Sequence, residues 1–297
     1  MTTRDEPRVR VRTLSGFMAG RRDLLWGVLW LAGLALTWGW LGLYLNAPAR
    51  TLVGDACVNT FAGASAAVAV AVVIGWGTAL ILHFLESSRR RGAYLALSFL
   101  LNLLRSVPQI VGMLLGYVVI TALTLNEVLA SDTSRILATS LVTALLMFQE
   151  VVDLVRERIR HFESLEFVSA LLVCGVPSRV IINREILLKN SVPNLVQKAV
   201  ALFGRAIFLI CSVDFIVSVG LSAEVSLSNL PVTLGSMLAK LDSKQDILAI
   251  GTALTDVSVI PTLFVEHLQG TSVAFLIVYT LLCVYRVANG LMERYRL

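Results

Sequence analysis

The sequence predicts an all-α membrane protein with six transmembrane helices. Three observations carry this expectation. Hydrophobic residues make up 57% of the 297-residue chain and charged residues only 15%, against roughly 25% charge in ordinary soluble domains. Mean hydropathy is +0.79. The apolar residues also gather into runs of Leu, Ala and Val long enough to cross a bilayer as a helix, about 20 residues. None of these runs sustains the period-two alternation of a membrane barrel strand.

Residues 1–23 form a polar arm carrying Arg4, Arg8, Arg10, Arg12, Arg21 and Arg22. It does not have the layout of a cleavable signal, because the apolar run behind it is long enough to span. Residues 24–297 read as one transmembrane domain. The first span runs from Leu24 to Leu45, with Trp and Tyr near its ends where aromatic belts sit. A short loop with Asn46, Pro48, Arg50 and Asp55 leads to the second span, about Val58 to Leu85, which Arg89-Arg90-Arg91 stops.

The stretch 92–107 is apolar but holds Asn102 and Arg105. It reads as an interfacial helix leading into a third span, about Val107 to Leu125; a single long tilted span from Tyr94 is the alternative. A fourth span covers about Ile136 to Leu154, and a strongly charged stretch from Arg156 to Glu163 follows it. The fifth span is about Val192 to Leu221 and the sixth about Thr271 to Ala288. Between them, 222–269 is too long for a simple turn and contains Pro231, Gly235, Gly251 and Pro261.

Six spans put both ends of the chain on one side. Of the 25 Lys and Arg, 20 fall in the N-terminal arm, the 86–105 and 156–198 stretches and the C-terminal tail. The positive-inside rule then predicts cytoplasmic termini, a cytoplasmic 156–190 and a 222–269 segment on the opposite face. The net charge of +5 is thus explained by topology and lipid-headgroup contact, with no nucleic-acid partner. The four Cys and three His are scattered without metal-ligand spacing, so no metal and no cofactor is expected. No phosphate-binding G-x-x-x-x-G-K-[ST] loop, HExxH or GxSxG occurs. The chain is therefore not expected to be an enzyme and has no catalytic residues.

Residues 163–190 stand out. One amphipathic helix extends to about Cys174 and a second starts near Ser178. Gly175 suits the left-handed conformation that ends a helix, and Pro177 prevents a straight continuation. Glu166 and Ala170 are four apart and share a face. The expected product is a compact helical knob on the cytoplasmic surface, shaped to fit a groove on a partner.

The pattern Glu166-x-x-x-Ala170-x-x-x-x-Gly175, followed by Ile181 and an apolar run, resembles the "EAA" coupling loop of bacterial ABC importer permeases. In detail it resembles the dipeptide, oligopeptide and nickel permease family, of its second-permease type. Glu166, Phe167, Val168, Ala170, Gly175, Ile181, Ile182, Arg184, Ile186 and Leu187 match without a gap, while Leu188 and Lys189 replace the family's Pro and Asn. Shorter likenesses lie at Asp55 and Gly63, Ser106-Val107-Pro108, Thr233 to Leu238 and Asn289-Gly290-Leu291. The chain departs from the family at Gly54, at Leu234, and at Ile210, where the family's fifth span usually carries Glu.

The resemblance implies a type I ABC importer permease fold with a cytoplasmic coupling-helix loop in the inner membrane. It implies coupling to ATPase subunits through Glu166, Phe167, Ala170, Gly175, Ile181 and Arg184, a second permease subunit, and a periplasmic or lipid-anchored substrate-binding protein that 222–269 helps to receive. The solute would be a peptide or a similar small molecule. Two ionisable residues inside the fifth span, Arg205 and Asp214, are candidates for the translocation path, since charge at that depth usually faces a cavity or a partner. Nine residues, or about 13.5 Å of helix, separate them, too far for a direct pair. The rival readings are a secondary transporter and a non-transporting membrane scaffold.

Overall fold

A computed structural model of the chain describes residues 22–44, 47–88, 91–220, 231–240, 255–256, 258 and 268–295. The N-terminal arm up to residue 21 and most of the 222–269 segment lie outside them. Nearly all the described residues are helical. In order they are α1 (Arg22–Tyr44), α2 (Ala47–Ser87), α3 (Arg91–Ser106), α4 (Gln109–Leu125), α5 (Asp132–Glu163), α6 (Glu166–Val173), a helical turn at Ser178–Val180 that runs into a π-helix (Ile181–Asn190), α7 (Val192–Gly220), α8 (Leu234–Lys240) and α9 (Leu268–Tyr295).

Five of these, α1, α2, α5, α7 and α9, are long and apolar enough to cross a membrane. The α3–α4 pair passes the same test only as a unit, bent by 93°. The result is an all-helical architecture with five to six candidate spans, compatible with a multi-pass membrane protein. In lipid such a chain has no alternative, since every backbone polar group must find its partner within a helix.

One expectation needs correction, and one alternative is set aside. The loop around Asn46, Pro48, Arg50 and Asp55 is shorter than expected, because α2 begins at Ala47 and takes in Pro48, Arg50 and Asp55. Proline is accepted in a first helical turn, where its missing N–H would have had no partner. The single tilted span from Tyr94 does not form. The chain turns at Val107-Pro108, where Pro108 is extended at φ −59°, ψ 131° and stands before the first residue of α4. Arg105 Nη2 clips the end of α3 to Asp153 of α5 at 2.7 Å, and Arg156 Nη2 of α5 reaches the hydroxyl of Tyr94 at 3.0 Å. The outer face of α3 presents Leu95, Phe99, Leu100 and Leu103. The charged stretch from Arg156 to Glu163 prolongs α5 by two turns.

The centre of the bundle is the α2–α5 pair, with α7 against both and α1 held mainly by α9. α2 supplies a stripe of small buried residues three and four apart, Ala64, Ala67, Ala71, Gly75 and Ala79, which lies on one helical face. At Gly75 the two backbones come close: a Cβ there would stand 2.7 Å from the carbonyl oxygen of Phe148. Close approach of this kind is what small residues permit in membrane helices.

The contacts also order the spans. Gly63 faces Ile136 and Ser140 while Gly75 faces Phe148 and Val151, so α2 and α5 run the same way. Gly112 meets Leu146 and Gly116 meets Val142, so α4 runs against α5. Lys198 of α7 reaches Glu150 and Asp214 lies with Ile136, so α7 also opposes α5. Trp26 lies against Arg286 and Trp30 against Thr280, so α1 opposes α9. The start of α1 and the end of α9 therefore share the end of the bundle that carries 163–190. Residues 231–240 lie at the far end.

Candidate functional site

The loop end is built from the C-terminal turns of α2 and α5, the short α6 and the π-helix. α6 starts after Leu165, which is extended, and Glu166 occupies its first turn, where a negative charge is favoured by the helix dipole. It ends at Cys174 in a full Schellman motif. The N–H of Val176 donates to Leu171 O at 3.1 Å and the N–H of Gly175 to Leu172 O at 3.0 Å. Gly175 is left-handed at φ +81°, with open space where a Cβ would be. Its requirement is thus purely one of backbone conformation, costing an L-residue roughly 1–2 kcal/mol. Pro177 is extended and opens the return segment.

The return segment is anchored through its apolar side. Ile181, Ile182, Ile186 and Leu187 are buried against the bundle, as is Val168 of α6. Burial of each such side chain contributes about 1.5–3 kcal/mol. Trp76 Nε1 donates to Asn183 Oδ1 at 3.2 Å, Arg179 stacks over the Phe84 ring at 5.5 Å, and Phe167 packs edge-on against Phe162 at 6.1 Å. His83 Nε2 lies 3.3 Å from Glu163 Oε1.

Of the six residues expected to couple, Glu166, Phe167, Ala170, Gly175 and Arg184 are exposed and Ile181 is buried. Ile181 therefore fastens the knob to the bundle and does not meet a partner directly. The outer surface of α6 is apolar, with Val173 88% exposed and Leu172 49%.

Arg205 and Asp214 occupy two separate places along α7. Arg205 is 46% exposed at its side chain and pairs with Glu150 of α5. The same carboxylate takes Lys198 Nζ at 2.8 Å. Glu150 was not among the residues expected to matter, although an acidic residue inside the fourth span is itself a signal of such a partner.

Asp214, 3% exposed, faces a cavity of about 30 Å³ at the far end, shared with Asn59, Tyr117, Thr139, Thr233 and Ser236. The hydroxyl of Thr233 donates to Asp214 Oδ2. Thr233 itself sits in the turn before α8, whose Gly235 lies so close to Cys211 of α7 that a Cβ would stand 2.2 Å from its carbonyl oxygen. No charged partner for Asp214 was visible in the sequence, and none of the other described residues that line its cavity carries a charge of its own.

No protein-family model matches the chain, and no curated protein matches it.

Proposed function

We propose that the chain is the permease subunit of an ATP-driven ABC importer that moves a peptide or similar small solute across the bacterial inner membrane. Both termini and the 163–190 loop face the cytoplasm in this reading, and 222–269 faces the periplasm. The observation that carries it is the knob. A helix of eight residues closed by a left-handed Gly175 presents an apolar outer surface next to the exposed Glu166 and Ala170, on residues that resemble the permease coupling loop. An apolar patch kept exposed outside the spans is the mark of a docking surface.

ATP hydrolysis belongs to separate nucleotide-binding subunits. Their closure pushes on α6, and the buried Ile181–Leu187 anchor passes the displacement to α2, α5 and α7, which rock between inward-open and outward-open arrangements. A second permease subunit completes the path, and a binding protein delivers solute at the far end.

The test compares Gly175→Val and Glu166→Lys with the parent protein at matched membrane levels, reading solute uptake and co-purification of the ATPase subunits. Gly175→Val is expected to insert normally, because the spans insert on their own hydrophobicity, but to lose ATPase association and uptake. Glu166→Lys is expected to do the same through charge reversal. Normal uptake in both variants overturns the reading. The buried carboxylate of Asp214 favours a second reading, an ion-coupled secondary transporter, which predicts uptake that persists without any ATPase and collapses with the ion gradient.

A further inference from the structure

We propose that the cleft beside Asp214 binds a compact monovalent cation, either an alkali-metal ion or the ammonium group of a solute. The proposal goes beyond the coupling reading and uses none of the loop-end residues.

The charge of Asp214 is uncompensated among the described residues. Asp214 is buried among α2, α5, α7 and the turn before α8, with one oxygen held by the Thr233 hydroxyl. Its other oxygen, Oδ1, has no hydrogen-bond partner among the described residues. None of the described residues that line the cavity is Lys, Arg or His. A carboxylate in that setting is stabilised by taking up positive charge from outside.

The lining is polar. The Asn59 amide nitrogen donates to Val232 O at 2.9 Å, the Thr139 hydroxyl to Arg135 O at 2.9 Å and the Ser236 hydroxyl to Thr233 O at 3.0 Å. With their single hydrogens directed to backbone carbonyls, the Thr139 and Ser236 hydroxyls have oxygen lone pairs to offer the cleft, and so does the Asn59 amide oxygen. The Tyr117 hydroxyl, also in the lining, can turn its own lone pair inward.

Size and charge narrow the ligand. About 30 Å³ is room for an ion or an ammonium head. Oxygen ligands suit hard cations over transition metals. A single carboxylate matches a single positive charge, and no group of three His, Cys, Asp or Glu among the described residues is placed to hold a metal of higher charge.

The site also has a closing element. Thr233 joins Asp214 to the turn that starts α8; its hydroxyl accepts from the N–H of Ser236 at 3.2 Å, and the N–H of Leu234 donates to Thr60 Oγ1 of α2 at 3.0 Å. A cation seated at Asp214 is thereby linked to the junction of α2, α7 and α8.

The test uses the full chain in lipid nanodiscs, with thermal unfolding followed by tryptophan fluorescence. Sodium and methylammonium chloride are titrated against choline chloride at constant ionic strength. A saturable rise in melting temperature is expected from one of the two cations, as ligand binding to the folded state requires. A response to sodium identifies a free ion; a response to methylammonium identifies a solute's ammonium group.

Asp214→Asn should lose the response while melting normally in choline, with affinity reduced by at least about tenfold. Thr139→Val, which keeps the carboxylate, should weaken the response by a smaller factor and serves as the deciding variant if Asp214→Asn does not fold. The inference is overturned if neither cation shifts unfolding beyond choline, if Asp214→Asn keeps the full response, or if Thr139→Val leaves it unchanged when it alone folds. Because the readout needs no ATPase, a chain that binds the cation but fails to capture ATPase subunits refutes the coupling reading alone. A chain that captures them but ignores both cations refutes this one alone.

Discussion

The two ends of α7 handle ionisable groups in opposite ways. Toward the loop end, Lys198 and Arg205 converge on Glu150 of the neighbouring helix, and their charges are largely answered within the protein. Toward the far end, Asp214 is more deeply buried than any of these, yet among the described residues it meets only the neutral hydroxyl of Thr233. Charge at membrane depth costs about 2.5–3.5 kcal/mol per group on insertion scales. Where that cost is offset inside the fold, the residues are part of the architecture. Where it is left open, the residue is available to a ligand. Residue type alone, which made Arg205 and Asp214 equal candidates for the path, does not separate these cases; their partners do.

The contrast can be broken most directly at Glu150. Glu150→Leu leaves two part-exposed cations facing each other without a carboxylate, and the loss is expected at the lower end of the range for breaking buried ionic groups, about 3 kcal/mol. Denaturant unfolding in bicelles should show a lower midpoint, and Glu150→Leu combined with Lys198→Met and Arg205→Met should recover most of the loss. Unchanged stability of the single variant would mean the trio is not a paired unit.

At the far end, Thr233→Val removes the hydrogen bond that the described residues supply to a buried carboxylate. A loss of about 1.5–3 kcal/mol is expected in the same assay, without the rescue by charge neutralisation that marks the Glu150 group. Asp214→Asn should move stability by less, within about 1 kcal/mol, because the amide can still accept from Thr233 and the unanswered charge is gone. A penalty as large as that of Glu150→Leu would show that Asp214 has a charged partner after all. The smallest effect is expected at Arg105→Gln. Its pair with Asp153 is exposed on both sides, and such pairs contribute roughly 0.2–1 kcal/mol; a larger loss would mean that this pair sets the 93° turn between α3 and α4.

Much of the loop end was legible in the chain itself. The positions of Gly175 and Pro177 reported a reversal between two short helices, because only a residue without a Cβ enters positive φ freely and proline cannot continue a helix. The structure has Gly175 at φ +81° and an extended Pro177. The helical spans were legible for a similar reason. A backbone in lipid satisfies its polar groups within its own helix, so the hydropathy of each segment indicates its structure without knowledge of its neighbours.

What the tertiary structure alone decided is which side chains meet between helices. Nothing within the fifth span distinguishes Arg205, which finds Glu150, from Asp214, which finds Thr233 from beyond the end of its own helix. Those meetings depend on how each helix is rotated and how closely it is seated, as Gly75 is against Phe148 and Gly235 against Cys211. Rotation and seating come from side-chain packing between segments distant in sequence, which is a property of the assembled bundle and not of any one run of residues.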